Sequence, residues 1–394
     1  MQTKSIKLRS GRLGAHRAGH PWIYKRQILR TDPSIRPGDI VNVIAPDGKY
    51  IGTGYYNSHS DICIRILTFT NEPIDAGLFR SRMAAADEKR SKIKPLTDAY
   101  RVVFSEADGL PGLVIDRYGG TVVFQALTLG MERFKETIID LIDEILKPEY
   151  IYERSDSPYR KFEGLEERRG WWGDEGSGCV EISEGRARFL VDIVRGHKTG
   201  FYLDQRSARL AIGSAAKGRD VLDLFSYTGG FAVHAALGGA RSALGVDIKE
   251  DWLALAGRNS ELSGVGKITE FARSDAFGYL KKMKTEGRLF DIIIVDPPSF
   301  AKAKYSLASA SRGYEELNTA AMRCLKDGGI LATFSCSHNM PNEIFSGILK
   351  KASEKAGKSV SILKRCHQAQ DHPIVRAIPE TEYLKGYFLR ITEK

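Results

Sequence analysis

The apolar positions fall into three successive patterns, and each change of pattern marks a boundary. From Met1 to about Asn71 they form short β-branched runs, IKLRS, DIVNVIAPDGKYIGTGYYN and ICIRILTFT, broken by Gly, Pro and Asp-Gly turns. That pattern predicts a compact β-barrel. From Glu72 the spacing changes: Ile74 to Lys94 reads as a helix, and VVFSEADGLPGLVIDRYGGTVVFQAL as strands joined by tight turns. Met131 to Leu146 is predicted as one helix, with Phe134, Ile138, Leu141, Ile142 and Ile145 on its apolar face. IYERSD is a further strand, and VEISEGRARFLVDI is predicted as a hairpin. This mixture predicts an α+β middle domain, with divisions at 1–72, 73–190 and 191–394.

The third pattern is α/β. Asp204, Gln205 and Arg206 are predicted to start a helix whose first-turn acid suits the positive end of the dipole. An apolar run from Val221 ends in Asp223, a Gly-bearing turn spans Ser226 to Gly230, and a helical stretch leads to the run Ala243 to Val246 and Asp247. That is a βαβ unit, which places ligands at the carboxyl ends of its strands. Ile292 to Val295 is a buried strand delivering Asp296, Pro297 and Pro298. Leu317 to Leu325 reads as a helix stopped by Asp327, Gly328 and Gly329, before the strand ILATFSCSHNM. The closing segment DHPIVRAIPETEYLKGYFLRI is predicted as a hairpin-like antiparallel pair, with His372 and Pro373 on its connection.

Composition narrows the function classes. An apolar share of 42% over 394 residues supports two or three proper cores. No run is long and apolar enough for a bilayer, and the basic N-terminus lacks the apolar centre of a signal peptide, so a cytoplasmic protein without membrane association is expected. Five scattered cysteines with no C-x-x-C pair predict neither disulfides nor a metal site. Cys63, Cys179, Cys324 and Cys366 read as small buried apolar residues. The net charge of +10 favours a polyanionic partner. Arg9, Arg12, His16, Arg17, His20, Lys25 and Arg26, with Trp22 and Tyr24 among them, crowd the first region as candidate RNA contacts.

The candidate chemistry lies in the third region. G-x-G-x-x-G and the phosphate-cradling P-loop are both absent. A turn carrying its own acid, Asp223, would repel a pyrophosphate and suit a cofactor with an amino group. An acid after the second strand, Asp247, can hold both hydroxyls of a ribose. Asp275 offers an acceptor for an adenine amino group, with Ala276 and Phe277 against the base. Cys336 is expected on the same rim as Asp296, flanked by Ser335, Ser337 and His338. Asp116, Arg117 and Tyr118 read as structural.

These motifs resemble known families. DLFSYTGGF and its following acid resemble the first motifs of class I S-adenosylmethionine (SAM) methyltransferases. GHPW and PGDIV, Gly19 to Trp22 and Pro37 to Val41, resemble a PUA-type RNA-binding barrel. GHKTGFYLDQR resembles the TGFFLDQR lead-in of one methyltransferase group, with Tyr202 in place of its second Phe. Together with DPPSFAK and FSCSHNM, the whole chain is similar to the bacterial 23S rRNA cytosine-carbon-5 methyltransferases of the RlmI type. The resemblance implies a Rossmann-like catalytic domain, Cys336 as nucleophile and Asp296 assisting at the base. It implies SAM contacts from Thr199, Phe201, Asp204, Gln205, Arg206, Asp223, Phe225, Ser226, Tyr227, Thr228, Gly229, Gly230, Asp247, Ile248, Asp275, Ala276, Asp296 and Pro297. It also implies 23S rRNA as partner and a homodimer. Two alternatives stay open: a nitrogen-directed rRNA methyltransferase with an inert Cys336, and a non-catalytic RNA-binding assembly factor.

Overall fold

The computed structural model describes residues 4–11, 14–300 and 307–394. Arg12, the Arg17 side chain, and Ala301 and Lys302 of DPPSFAK lie outside the described residues. The chain forms two units: residues 1–182, 191–203 and 370–381 make the first, and 183–190, 204–369 and 382–394 the second.

The first unit holds two sheets. β1 (Lys4–Leu8), β2 (Trp22–Tyr24), β3 (Ile28–Arg30), β4 (Ile40–Ile44), β5 (Tyr50–Tyr56) and β6 (Ile62–Thr68) form a six-stranded sheet in the order β2-β6-β5-β4-β1-β3. Alternation puts Ile6, Leu8, Val41, Val43, Ile64 and Ile66 into one core. β2, β3 and the one-turn helix α1 (Gly14–Arg17) are too short to show a periodicity.

The second sheet, β11-β10-β9-β8-β7, comprises β7 (Ala99–Phe104), β8 (Leu113–Tyr118), β9 (Thr121–Ala126), β10 (Tyr150–Ser155) and β11 (Arg168–Trp172). Its core takes side chains from α2 (Ala76–Lys89) and α4 (Lys135–Leu146). The single helix expected from Met131 to Leu146 is broken at Phe134, which ends α3 (Leu129–Arg133) and caps α4 with non-helical φ −97° and ψ 13°. The expected hairpin is present as β12 (Cys179–Glu184) and β13 (Ala187–Asp192).

The second unit is built on a seven-stranded sheet, β16-β15-β14-β17-β18-β20-β19. Its strands are β14 (Asp220–Leu224), β15 (Ser242–Asp247), β16 (Thr269–Arg273), β17 (Phe290–Val295), β18 (Leu325–Ser335), β19 (Lys358–Cys366) and β20 (Lys385–Glu393). The first five run parallel; β20 is antiparallel to both of its neighbours. Helices α5 (Arg206–Ala215), α6 (Gly230–Leu237), α7 (Glu250–Leu262), α8 (Ala276–Thr285), α9 (Leu307–Arg323) and α10 (Asn342–Ala356) belong to the same unit. The chain moves outward from β14 to β16 on one side and from β17 onward on the other, so the order reverses between β14 and β17, where such sheets open their ligand crevice.

Five local expectations are corrected. Asp204 belongs to a 3-10 turn, Leu203–Gln205, and α5 begins at Arg206 with no acid in its first turn. Helix α9 begins ten residues before the expected start, and Asp327 to Gly329 are not a stop between elements but an irregularity inside β18, between the pairs Phe290–Leu325 and Ile292–Ile330. The closing antiparallel pair is β19 with β20; DHPIVRAIPE is instead a connection carrying one isolated bridge, Val375–Ile378, and a short 3-10 turn. Cys179 is only half-buried, whereas Cys63, Cys324 and Cys366 are buried as expected.

Candidate active site

Asp223 is the penultimate residue of β14, a strand buried on both faces, and is itself fully buried. Ser226 Oγ donates to its Oδ2 at 2.7 Å and the Ala232 N–H at 3.2 Å, while Oδ1 has no hydrogen-bond partner among the described residues. Burial, reinforced by repulsion from Asp296 and Asp247, outweighs those hydrogen bonds and pushes the carboxyl up to about 7. A buried carboxylate with an oxygen to spare favours a cation, which an amino-acid ammonium supplies. The loop after it is held in an uncommon backbone: Phe225 has φ 62° and Tyr227 φ 50°, both left-handed without being glycine. Gly229, at φ 81°, lies so close to Ala256 and Phe271 that a Cβ there would meet them at 3.0 and 3.1 Å. Gly230 starts α6, and buried Thr228 has its Oγ1 without a partner among the described residues and its carbonyl accepting from Asn259 Nδ2 at 3.0 Å.

At the end of β15, Asp247 accepts from the backbone N–H groups of Tyr227 and Lys249, each at 3.0 Å. The carboxylate is therefore fixed in direction, and each oxygen keeps a lone pair for a hydroxyl. Ile248, just beyond, is 62% exposed, an apolar side chain open to a flat ligand. Asp275 caps α8 by accepting from the Gly278 N–H at 2.8 Å, so its side chain already has a structural task. Ala276 is buried and Phe277 exposed.

Asp296 follows β17, and Cys336 follows β18, its parallel neighbour, in register Val295 with Thr333. Both therefore emerge at the carboxyl rim. Gln205 Nε2 donates to Asp296 Oδ2 at 2.9 Å, and Pro297 stiffens the exit of the strand. Asp204 accepts from Tyr383 Oη at 2.6 Å, which draws the turn before α5 onto the segment leading to β20. Tyr314 of α9 is buried, and Cys336 and Asp296 are the charged groups that act on its phenol; burial holds that phenol protonated, well above its ordinary range. Buried Lys385 donates to the Ser337 carbonyl at 2.7 Å. Tyr314, Tyr383 and Lys385 went unnoticed in the sequence, because nothing local signals partners 18 to 179 positions away.

Arg206 plays a different part. Its Nε is 3.5 Å from Glu184 in a buried cluster where Arg209 makes a two-pronged pair with that carboxylate at 2.7 Å and His234 Nε2 lies at 3.0 Å. Thr199 and Phe201 fall in the first unit. There Thr199 Oγ1 donates to Asp116 Oδ2 at 2.5 Å, and the Phe201 N–H donates to Tyr118 Oη at 3.2 Å. Asp116 is also paired with Arg101 at 2.8 Å. Asp116 and Tyr118 thus have the structural role expected of them, anchoring that segment.

Among the basic residues of the six-stranded sheet, Arg9, Lys25 and Arg26 are exposed, and Arg26 sits 5.4 Å from the centre of the Tyr24 ring. His16 and His20 are buried instead, His20 bonded to Glu380 at 3.1 Å, and burial lowers the His16 pKa, so these two add little to a cationic surface. Trp22 is half-buried and donates to Glu106 at 2.9 Å.

Comparison with known proteins agrees with this geometry. Residues 6–69 match a PUA-like domain, and residues 163–381 match the S-adenosylmethionine-dependent methyltransferase family. The chain is 42% identical to the ribosomal RNA large subunit methyltransferase I of Aeromonas hydrophila, covering 98% of this chain and 99% of that one. It is 40% identical to the protein of the same name from Klebsiella pneumoniae, over 94% of both. Among solved structures, a SAM-dependent methyltransferase from Streptococcus mutans has the same fold, with a TM-score of 0.84, 22% identity, and coverage of 98% of this chain and 100% of that one. Another methyltransferase, solved with SAH bound, superposes with a TM-score of 0.83 at 24% identity, covering 99% of this chain and 100% of that chain. The chain belongs to the S-adenosylmethionine-dependent methyltransferases, in the group of the ribosomal RNA large subunit methyltransferase I proteins.

Proposed function

We propose that this enzyme converts a cytosine of 23S rRNA to 5-methylcytosine, with Cys336 as nucleophile and Asp296 as its acid partner. The observation that carries the reading is the pairing of these two groups at the ends of adjacent parallel strands, with Asp296 held by Gln205. An amine acceptor needs only positioning and a hydrogen-bond acceptor, and would leave a thiol there idle. Carbon 5 of cytosine is a weak nucleophile and needs activation. Cys336 thiolate forms a bond to carbon 6 while Asp296 protonates or holds ring N3, and the displaced electron pair gathers at carbon 5. Bound SAM supplies the electrophilic methyl group that carbon 5 takes. A base then removes the carbon 5 proton, the double bond re-forms, and the Cys336 sulfur leaves. The target base has to leave its stack to reach this rim.

In the same reading, Asp223 holds the methionine ammonium of the cofactor and Asp247 the ribose, with Thr228 Oγ1 and Gln205 Oε1 as further groups open to it. Asp275, Ala276 and Ile248 border the adenine, and Asp204, Phe225, Ser226, Tyr227, Gly229, Gly230 and Pro297 shape the walls. The division at 72 and 190, the homodimer and the cytoplasmic location belong to the proposal as well. Sedimentation of the purified chain reads the homodimer directly.

The deciding experiment incubates the protein with SAM and RNA carrying 5-fluorocytidine, followed by denaturing electrophoresis, beside Cys336→Ala. Fluorine cannot leave as a proton does, so a covalent adduct should accumulate in the parent and vanish in the variant. If ordinary RNA is methylated, no adduct forms and Cys336→Ala stays active, the target is a nitrogen and the carbon-5 reading fails. No SAM binding by the parent would point to a silent assembly factor.

A further inference from the structure

A free thiol has a pKa of about 8.5, so a cysteine nucleophile working near neutrality needs a nearby positive charge. Lys385 opens β20 directly opposite Ser335, the last residue of β18, and partners in an antiparallel pair project to the same face. Its side chain curls over the end of β18, and Nζ donates to the carbonyl of Ser337 at 2.7 Å. The ammonium is thereby moored one residue past Cys336. Lys385 as a whole is only 7% exposed. Burying an ammonium against one neutral carbonyl is costly unless an anion lies beside it.

Among the described residues two charged groups act on this ammonium. Cys336 and Glu382 are the two charges acting on Lys385; both favour its charged form, against the burial that lowers its pKa. Cys336 and Asp296 also act on the Tyr314 phenol, which burial keeps neutral. His338 packs on the Tyr383 ring, with centroids 5.4 Å apart. Glu382 and Asp296 oppose a thiolate, and among these groups Lys385 is the fixed cation.

We propose that Lys385 is a positioning residue for the methyl-transfer reaction, its moored ammonium holding the Cys336 sulfur as the thiolate that attacks carbon 6. The thiol proton passes to solvent, and the sulfur keeps the electron pair that forms the bond to carbon 6. This inference rests on Cys336 being the nucleophile.

The test reads the Cys336 thiol itself, in the full-length protein, by the rate of iodoacetamide labelling against pH, with the Cys336 peptide quantified by mass spectrometry. The parent should label with a midpoint below about 8.5. Lys385→Met should raise the midpoint, slow labelling at pH 7 about tenfold or more, and move the alkaline rise of methyl transfer by the same interval. Lys385→Arg keeps the charge and should hold the midpoint near that of the parent. A midpoint that Lys385→Met leaves in place overturns the inference. Should Lys385→Met fail to fold, as judged by melting and SAM binding, a parent midpoint at or above 8.5 overturns it as well, whereas a lower midpoint preserved in Lys385→Arg supports it. The 5-fluorocytidine adduct separates the two claims. An adduct in the parent with an unmoved midpoint refutes the role of Lys385 alone; no adduct, with an active Cys336→Ala, refutes the nucleophile.

Discussion

Asp223 concentrates the conflict between stability and function in one carboxyl group. Its folded-state pKa, pushed up to about 7, lies above the unfolded value of about 3.9. For an acid shifted in that direction, the folded protein holds the proton more tightly, so no penalty exists below the unfolded value. The penalty grows as pH rises through the interval and is complete above about 7. SAM-free protein should therefore lose thermal stability between about pH 4 and pH 7 in a way that Asp223→Asn does not. Cofactor affinity should run the other way, weakening about tenfold per unit as the pH falls below 7 and the carboxylate protonates. Calorimetric titration of SAM from pH 5 to 7 checks the sign, and Asp223→Asn should melt no lower than the parent while losing its SAM-induced rise in melting temperature. The sequence showed Asp223, Asp247 and Asp296 because strand ends followed by acids are local patterns. Gln205 was visible through its motif, but its bond to Asp296 spans 91 positions and was not.

Between elements, the second unit depends on an ion cluster that no motif announced. Glu184 ends β12, Arg206 and Arg209 belong to α5, and His234 lies on α6. Burial raises the Glu184 carboxyl, but Arg209 and His234 outweigh it and hold the group far below the usual carboxylate range. Here the sign is opposite to that of Asp223. The stabilisation is complete above the unfolded value of about 4.3 and disappears as pH falls toward the folded one. Glu184→Gln leaves the Arg209 guanidinium buried without its counter-charge and should cost about 3 to 5 kcal/mol, measured by urea unfolding at pH 7. The gap between parent and variant should narrow below pH 4. The elements easiest to read from sequence were those with long, regular periods, such as α4 and β17. The break at Phe134, the 3-10 turn before α5 and the irregularity in β18 each involve one to four residues, too few to show a regular period. The closing segment misled for another reason: YLKGYFLRI is a strand, but its partner in the antiparallel pair is β19, 19 residues upstream of Lys385, and DHPIV only imitates one.

At the scale of the whole molecule, the excess of 59 basic over 49 acidic residues is a statement about the partner rather than the fold. Among the described residues no helix is long and apolar enough to cross a membrane. An enzyme that methylates an rRNA base has two binding problems of different physics. In the proposed reading the cofactor meets buried acids such as Asp223, where salt screens little, and the RNA meets exposed cations, where every phosphate neutralised releases counterions. The logarithm of RNA affinity should therefore fall linearly with the logarithm of salt concentration, with a slope of about −0.7 per phosphate contact on single strands, while SAM affinity changes far less. Lys25 and Arg26, exposed beside β2, are the test positions on the PUA-like sheet, distant in sequence from every group assigned to the chemistry. Lys25→Ala with Arg26→Ala should reduce the salt slope by about 1 to 2, raise the KM for RNA and leave both SAM affinity and the Cys336 adduct intact. Filter-binding titrations of an rRNA fragment from low to moderate salt measure the slope. An unchanged slope would mean that these two cations only solvate the barrel and that the RNA is held elsewhere.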